Sequence, residues 1–427
     1  MPQSLWRSPD FGRLWAAQTI SVLGTQVTLL ALPLVAITAL GATPFQVGLL
    51  GAAEFVPFLL VGLPAGAWVD RLRRRPVMIA ADAARAAALA AVPAAAALGA
   101  LRLELLYAVA LVTGTLTVFF DVAYSAYLPS IVTRERLLEG NSKLELSRSG
   151  ATLAGPGLGG VLVQVLSAPV AILADAVSYA ASALLLLAIR RPEDAPARDS
   201  GPRTGMLGQI VEGLRFVLAH PLLRPIALCT AITNLAFGAI QAVLLLHAVR
   251  SLHMTAGEIG LVLAVGNGGG LLGALASGHL GPRLGVGPTI IGSIATAGLS
   301  TVLFPLATPG TGVVLLAAGL FLGGLASMAY NVTQVSLRQA ITPDRLQGRV
   351  SSSMRFVVWG IIPLGSLLGG LAGNAIGSHD VLWLAVPVSL AAVVPPLLSP
   401  VRTLRRPAGP GPETIPAESR GEHTSAG

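Results

Sequence analysis

Charge is scarce in this chain. Of its 427 residues only 11% are Asp, Glu, Lys or Arg, while 53% are apolar; soluble domains carry roughly 25% charged residues. So few ionic groups cannot cover a globular surface of this size, which excludes a single soluble domain. A mean hydropathy of +0.74 points the same way, to an integral membrane protein. Cysteine is almost missing: Cys229 stands alone, so there is no intramolecular disulfide and no thiolate-built zinc or iron–sulfur site. Aromatic residues make up 5% of the chain, and the 6 His residues are scattered, so no metal is assigned. No P-loop, HExxH or nucleophile elbow occurs, which leaves a directly ATP-driven pump or an embedded hydrolase without support. No cofactor and no enzymatic activity are expected.

What the chain has is apolar length. Stretches of about 20 residues recur near 14–40, 46–69, 77–99, 103–127, 145–167 and 169–190. A second set follows near 222–249, 257–280, 287–308, 312–337, 352–376 and 380–401. Spans of this length must be helical, because a lone strand would leave backbone groups unsatisfied in lipid. The first has no small-residue cleavage site behind a short apolar core and reads as a retained helix. The 49 Gly and 30 Pro residues suit close-packed, bent transmembrane helices.

With both termini in the cytoplasm, the 28 basic residues fall in inner loops except for Arg102, Arg250 and, within a span, Arg85. That is a strong positive-inside pattern. In a soluble protein a pI near 10.6 would suggest nucleic acid; here it reads as topology, and no nucleic-acid partner is expected. Residues 1–190 form one six-span half and 222–402 the other. Between them, 191–221 is a cytoplasmic linker in which Leu207, Ile210, Val211, Leu214, Val217 and Leu218 recur at helical spacing, predicting an interfacial amphipathic helix. Residues 403–427, Pro-, Gly- and Glu-rich at their end, read as a disordered tail.

The halves repeat. Gly66-Ala67-Trp68-Val69-Asp70-Arg71-Leu72 pairs with Gly278-His279-Leu280-Gly281-Pro282-Arg283-Leu284, about 212 residues on. Thr133-Arg134-Glu135-Arg136-Leu137 matches Thr342-Pro343-Asp344-Arg345-Leu346 at 209. Gly155-Pro156-Gly157-Leu158-Gly159-Gly160 has a looser echo in Pro363–Gly370. Two such halves usually enclose a midplane site and rock about it.

The duplicated six-helix layout resembles the major facilitator superfamily over about residues 10–402, which implies an all-α fold of twelve transmembrane helices in two pseudo-symmetric halves. Gly66–Arg75 resembles that superfamily's signature loop between helices 2 and 3. Gly155, Pro156, Gly159 and Gly160 resemble the helix-5 motif of its exporters. Together with Asp82, Arg85, Leu128-Pro129 and Glu135-Arg136-Leu137, they look most like the branch with enterobactin and macrolide exporters. The resemblance implies a monomeric, secondary active efflux antiporter of the plasma membrane. It would exchange protons for a small amphipathic compound such as a drug, siderophore or secondary metabolite. Nutrient import, or a non-transporting receptor or assembly role, is the alternative. Two departures stand out: Gly281 replaces the second loop's Asp, and span 4 lacks the Arg that many proton-driven members carry.

Several residues could carry the chemistry. Arg71, Arg73, Arg74 and Arg75 are topology markers or, with Gly66 and Asp70, the latch that the resemblance implies between helices 2 and 11. Buried Asn and Gln need partners or water, unlike Ser and Thr, which can bond their own helix. Gln18 and Thr25, Asn234 and Gln241, and Asn331 and Gln334 lie on spans 1, 7 and 10; Asp121 is on span 4. These four spans are the ones the family arranges around its cavity, so the polar stripes and the resemblance agree. Interhelical glue is the other reading of each amide. Tyr124 and Tyr330 beside the stripes could stack on a substrate or pack the core. An embedded acid costs about 2.5–3.5 kcal/mol near the bilayer centre, so Glu54, Asp82, Asp121 and Asp175 need partners or water. Asp82 has Arg85 three residues on and reads as a structural ion pair, and Asp175 on span 6 reads as structural. Glu54, roughly 12 Å below the outer surface, is a carboxyl that takes up protons from outside or a locally paired acid. Asp121, toward the cytoplasmic side, is the second coupling candidate.

Overall fold

The computed structural model describes residues 5–69, 71–133, 136–191, 193 and 206–405. Asp70, most of the 191–205 linker and the tail from 406 lie outside the described residues. Every regular element described is helical. The first half comprises α1 (Pro9–Leu34), α2 (Pro44–Leu60), α3 (Gly62–Val69), α4 (Arg74–Ala97), α5 (Leu103–Ile131), α6 (Leu137–Leu166) and α7 (Ala168–Leu187). After α8 (Met206–Ala219) come α9 (Leu223–Arg250), α10 (Ala256–Leu284), α11 (Val286–Ser300), α12 (Gly312–Ile341), α13 (Asp344–Ile376), α14 (Ser378–Ala391) and α15 (Val394–Leu397). Ten described helices are long and apolar enough to cross a membrane, and Pro44–Leu60 and Gly360–Ile376 are shorter apolar ones. The molecule is a twelve-helix membrane protein.

Local chemistry explains the breaks. α1 runs on through a π turn at Val35–Ala39, just past Pro33, whose missing N–H interrupts the ladder. α2 opens on Thr43 with a capping box to Gln46 and Pro44 in its first turn. Two helices start earlier than hydropathy suggests: α6 at Leu137 rather than 145, and α13 at Asp344 rather than 352. Their first turns are polar and project beyond the apolar layer, so a hydropathy window does not register them.

Packing repeats as the sequence does. In the first half α1 packs on α6 and α7, α4 on α5 and α7, and α2 on α5. In the second, α9 packs on α13 and α14, α11 on α12 and α14, and α10 on α12. Each pairing is the six-span translation of one in the other half. The halves meet through α2 on α13 and α6 on α10, again translations of each other. Glycine makes both crossings possible. A Cβ on Gly160 would stand 2.5 Å from the Ala256 carbonyl, and one on Gly260 would stand 2.9 Å from Gly160 Cα. At the other crossing, a Cβ on Gly370 would lie 2.9 Å from Phe45 Cα and one on Gly48 would strike the Ser366 carbonyl. Backbones approach this closely only where no side chain intervenes.

Among the described residues, the packing that joins the halves gathers toward one end. Away from the chain termini, a single apolar core draws on both halves, joining Val27, Leu30 and Val35 to Val243, Leu246 and Val262. Toward the terminal end that core divides. One cluster holds Phe11, Met78, Tyr127 and Leu186 of the first half, and a separate one holds Ile226, Ile290, Leu337 and Met354 of the second. The interface helices part with it: Gly62, Gly66, Gly150, Gly278 and Gly348 have nothing within 4 Å of where a Cβ would stand.

The linker helix α8 packs on α13 and, less extensively, α9. Val217 is buried in the second half's core. A Cβ on Gly213 would stand 2.5 Å from the Arg349 carbonyl, and Arg349 pairs with Glu212 at 2.5 Å. Val211 and Leu218 remain on the exposed face.

Candidate functional site

Between the halves, in the portion nearer the closed end, lies a cavity of about 310 Å³. α1, α2 and α6 of the first half line it, with α9, α10, α12 and α13 of the second. Its walls are mostly Leu, Val and Phe, including Leu29, Phe55, Leu244 and Leu316, and its polar groups are few: Gln26, Thr28, Glu54, Gln241, Asn267 and Ser366. No Lys, Arg or His is among the lining residues. A mostly apolar concavity with a few placed polar groups is what a small-molecule site requires.

Glu54 is half-buried on α2 and has no ion pair or hydrogen bond among the described residues. Its backbone is held close to α5, because a Cβ on Gly114 would stand 2.7 Å from the Glu54 carbonyl. Asn267 donates its amide to the Thr152 carbonyl of α6 at 2.7 Å and so ties the halves together at the cavity wall. Gln26 lies against α6 where Gly155 leaves room for its side chain, and Gly159 accommodates Val27 of the same helix. Within the helix-5 motif, Gly155 and Gly159 thus face α1, while Gly160 faces α10. Pro156 lines the cavity.

Of the residues expected around a cavity, the structure brings Gln241 and Glu54 to the lining. The others lie elsewhere. Thr25 hydrogen-bonds the Tyr179 hydroxyl at 2.8 Å inside the first half. Tyr330 is 6% exposed, with its hydroxyl against Thr230 at 2.7 Å; it packs the second half instead of facing the cavity. Tyr124 stacks on Phe120. Gln334 is buried and donates to Asn331, which is exposed. Gln18 is half-buried two turns from Gln26, and its Oε1 is shielded without a hydrogen-bond partner. Asn234 is half-buried on α9. Asp121 is exposed on α5, with Arg85 and Arg148 the cations nearest in effect. Gln26, Thr28 and Asn267 also line the cavity. Gln26 and Asn267 are amides within spans, but which face they occupy depends on helix rotation that polarity alone does not fix.

A polar network sits inside the first half. Asp82 and Arg85 form an ion pair. Arg85 also donates to Thr117 at 3.2 Å, and its guanidinium lies 4.5 Å from the Phe120 ring and 4.1 Å from that of Tyr179. Ser182 donates to the second Asp82 oxygen at 2.6 Å. One turn nearer the closed end, Asp175 accepts from Thr28 at 2.5 Å and from Ser178 at 2.9 Å; Thr28 also lines the cavity.

The described contacts of the basic loop lie within its own half and the linker. Arg75 donates to the Leu186 and Leu187 carbonyls at 2.9 and 2.7 Å, supplying partners to orphan carbonyls at the end of α7. Glu193 accepts from the Arg74 and Arg75 backbone N–H groups at the start of α4, where a negative charge suits the helix dipole. Arg71 is exposed and Gly66 faces open space.

The family profile described as Major Facilitator Superfamily matches residues 14–363 and, in a second match, 226–424. The multidrug efflux pump Tap of Mycolicibacterium fortuitum is 30% identical over 408 residues, covering 93% of this chain and 97% of that protein. The enterobactin exporter EntS of Citrobacter koseri is 28% identical, covering 96% of each. Among solved structures, a mutant of the nucleoside transporter NupG aligns with TM-score 0.75 at 13% identity over 91% of this chain and 99% of that one. A bacterial homologue of the iron transporter ferroportin aligns with TM-score 0.70 at 18% identity over 93% and 99%. At such identities the structural matches bear on the fold alone.

Proposed function

The chain belongs to the major facilitator superfamily and is a multi-pass membrane transport protein, not an enzyme; on that premise we propose that it exports small amphipathic compounds by alternating access, in exchange for protons. One observation carries the reading: a cavity between the halves that is mostly apolar, holds a few amides, and contains a single carboxyl, Glu54, without a cation beside it. Apolar walls take the body of an amphipathic compound, and Gln26, Gln241 and Asn267 offer donors and acceptors that orient it. The similarity to proteins named as a multidrug efflux pump and an enterobactin exporter supports a drug or siderophore as the substrate class and export as the direction.

In the bacterial plasma membrane, with both termini cytoplasmic as the Arg distribution requires, the parted end of the molecule faces the cytoplasm. On this reading the halves are open to the cytoplasm, with the cavity as the roof of a vestibule. A compound enters from the cytoplasm and occupies the cavity. The halves rock about the glycine crossings, and the outer end opens. A carboxylate left alone in an apolar site is costly, so Glu54 favours a proton whenever the cavity holds neither water nor a cation. That is the property a coupling group needs. A latch between helices 2 and 11, as the basic loop after helix 2 suggests, would form when the cytoplasmic end closes.

The test is flux. Cells or inverted vesicles with and without the protein are loaded with a panel of drugs and siderophores, and accumulation is followed before and after collapsing the proton gradient. Gradient-dependent export of at least one compound is the expected result. Uptake in place of export would make the chain an importer, and no flux of any compound would leave the receptor reading.

A further inference from the structure

We propose that Gln164 and Asn374 are a matched pair of gate residues whose amide carbonyls hold the outer end of the transporter shut. The inference rests on the alternating-access reading and adds to it the bonds that must break for the outer end to open. Asn374, in the last turn of α13, accepts the backbone N–H of Phe45 in the first turn of α2, at 3.0 Å. Gln164, near the end of α6, accepts the backbone N–H of Gly257 in the first turn of α10, also at 3.0 Å. Each bond runs from one half to the other. The two lie on opposite sides of the closed end, just beyond the Gly48–Gly370 and Gly160–Gly260 crossings.

Helix chemistry explains why these N–H groups are available. The first turn of a helix leaves four backbone donors without partners. In α2, Pro44 has no N–H, and the Thr43 hydroxyl takes that of Gln46 at 3.3 Å; Phe45 is left over. In α10 the Thr255 hydroxyl takes the N–H of Glu258, again at 3.3 Å, and Gly257 is left over. Both leftover donors carry the positive end of a helix dipole, and an amide carbonyl from the opposite half meets each. Glycine at 257 lets the Gln164 carbonyl approach this closely, because a Cβ there would push that side chain aside.

The pair obeys the internal repeat. Thr43, Phe45, Gln46 and Gly48 lie 212 residues before Thr255, Gly257, Glu258 and Gly260; Gly160 and Gln164 lie 210 before Gly370 and Asn374. Chance contacts at a surface do not recur in register across a duplication. Both amides are exposed, so their bonds exchange with water when the end opens. A gate bond must be of this kind, since a buried one would leave an unsatisfied group behind. Arg250, which donates to the Ala42 carbonyl at 2.9 Å, adds a further bond between the halves at this end, on one side only.

The experiment reads the conformational balance directly. In the full chain with Cys229→Ser, a reporter cysteine replaces Leu29 in the cavity wall. Its labelling by a membrane-impermeant maleimide is timed from the outer and then the cytoplasmic face of oriented vesicles, without substrate. Gln164→Ala and Asn374→Ala are each expected to speed outer labelling and slow inner labelling by roughly two- to tenfold, the value of one hydrogen bond. Together their effects should multiply. Phe45→Pro removes the donor while leaving Asn374 intact, in the first turn, where a missing N–H breaks no intrahelical bond; it should match Asn374→Ala and add nothing to it. Asn374→Gln, which keeps the carbonyl, should stay near the parent. Labelling unchanged from both faces in the two alanine variants would overturn the proposal, as would a multiplied effect of Phe45→Pro on Asn374→Ala. Because no substrate is present, a protein that exports nothing could still show the shift. The exporter reading would then fail while the gate stood.

Discussion

At Arg85 a full charge is carried inside a membrane-spanning half because its two terminal nitrogens have partners and aromatic rings cover its faces, although its Nε is shielded without a hydrogen-bond partner. Asp82 pairs with it, Thr117 accepts from it, and two aromatic rings lie over it. Arg85 is 3% exposed and Asp82 0%, so the pair is dry, and removing either partner strands a buried charge. Breaking such a pair costs about 3–5 kcal/mol, whereas replacing both members with apolar residues is often neutral. Arg85→Met or Asp82→Leu alone should therefore lower thermal stability sharply in detergent, and the double substitution should recover most of the loss. Export by the double variant would then separate a packing role from a part in coupling. Single variants as stable as the parent would show that water reaches the pair. Asp175 nearby is satisfied differently, by two hydroxyls, and Gly24 leaves the space that the Asp175 and Ser178 side chains fill.

At the scale of helices, the crossings of α6 with α10 and α2 with α13 depend on glycine facing glycine. Gly160→Val should force these backbones apart by overpacking, at about 1–3 kcal/mol, and Gly370→Val should do the same at the symmetry-related crossing. If the molecule rocks about both, the two variants should reduce export to a similar extent while inserting normally. Transport lost in one and retained in the other would show that the crossings are not equivalent. These helices also mark how far the sequence could be read. Twelve spans and their division into halves follow from apolar length and the loop Arg residues. The repeat is visible at Gly66 and Gly278, where loop motifs are dense in charge and glycine. It is faint at Gly48 and Gly260, because single glycines are ordinary in apolar helices and only a facing backbone gives them meaning. The polar first turns of α6 and α13 escaped because hydropathy detects lipid contact, not helicity. Gln241 lines the cavity, whereas Tyr330 turns its hydroxyl to Thr230 on the neighbouring helix, an orientation that a polar stripe in the sequence does not distinguish from one facing the cavity.

Across the whole molecule the two halves share a fold but not a charge pattern. Glu54, Asp82, Asp121 and Asp175 all lie within helices of the first half, whereas Glu258, Asp344 and Asp380 of the second stand in the first turns of α10, α13 and α14. The apolar core at the parted end of the second half gathers residues such as Cys229 and Tyr330, whose hydroxyl lies against Thr230 at 2.7 Å. The cavity repeats this division: Glu54 comes from the first half, while Gln241 and Asn267, both uncharged, come from the second. Proton linkage should therefore reside in the first half and much of the substrate orientation in the second. Glu54→Gln keeps the shape of the side chain and is cheaper to bury than a carboxylate, so folding should be unaffected. Gradient-driven export should fall toward zero in this variant, while gradient-free counterflow of substrate persists. Gln241→Leu should do the reverse, weakening apparent affinity roughly two- to tenfold, the value of one hydrogen bond, with the pH dependence of export unchanged. Asn267→Leu is less clean, because it also removes the bond to Thr152 that joins the halves and should slow turnover as well. Paired vesicle assays at several external pH values separate the two effects. Full gradient-driven export by Glu54→Gln would move the coupling group to Asp121 or Asp175. A changed pH profile in Gln241→Leu would show that substrate and proton are read by one shared set of groups instead of one half each.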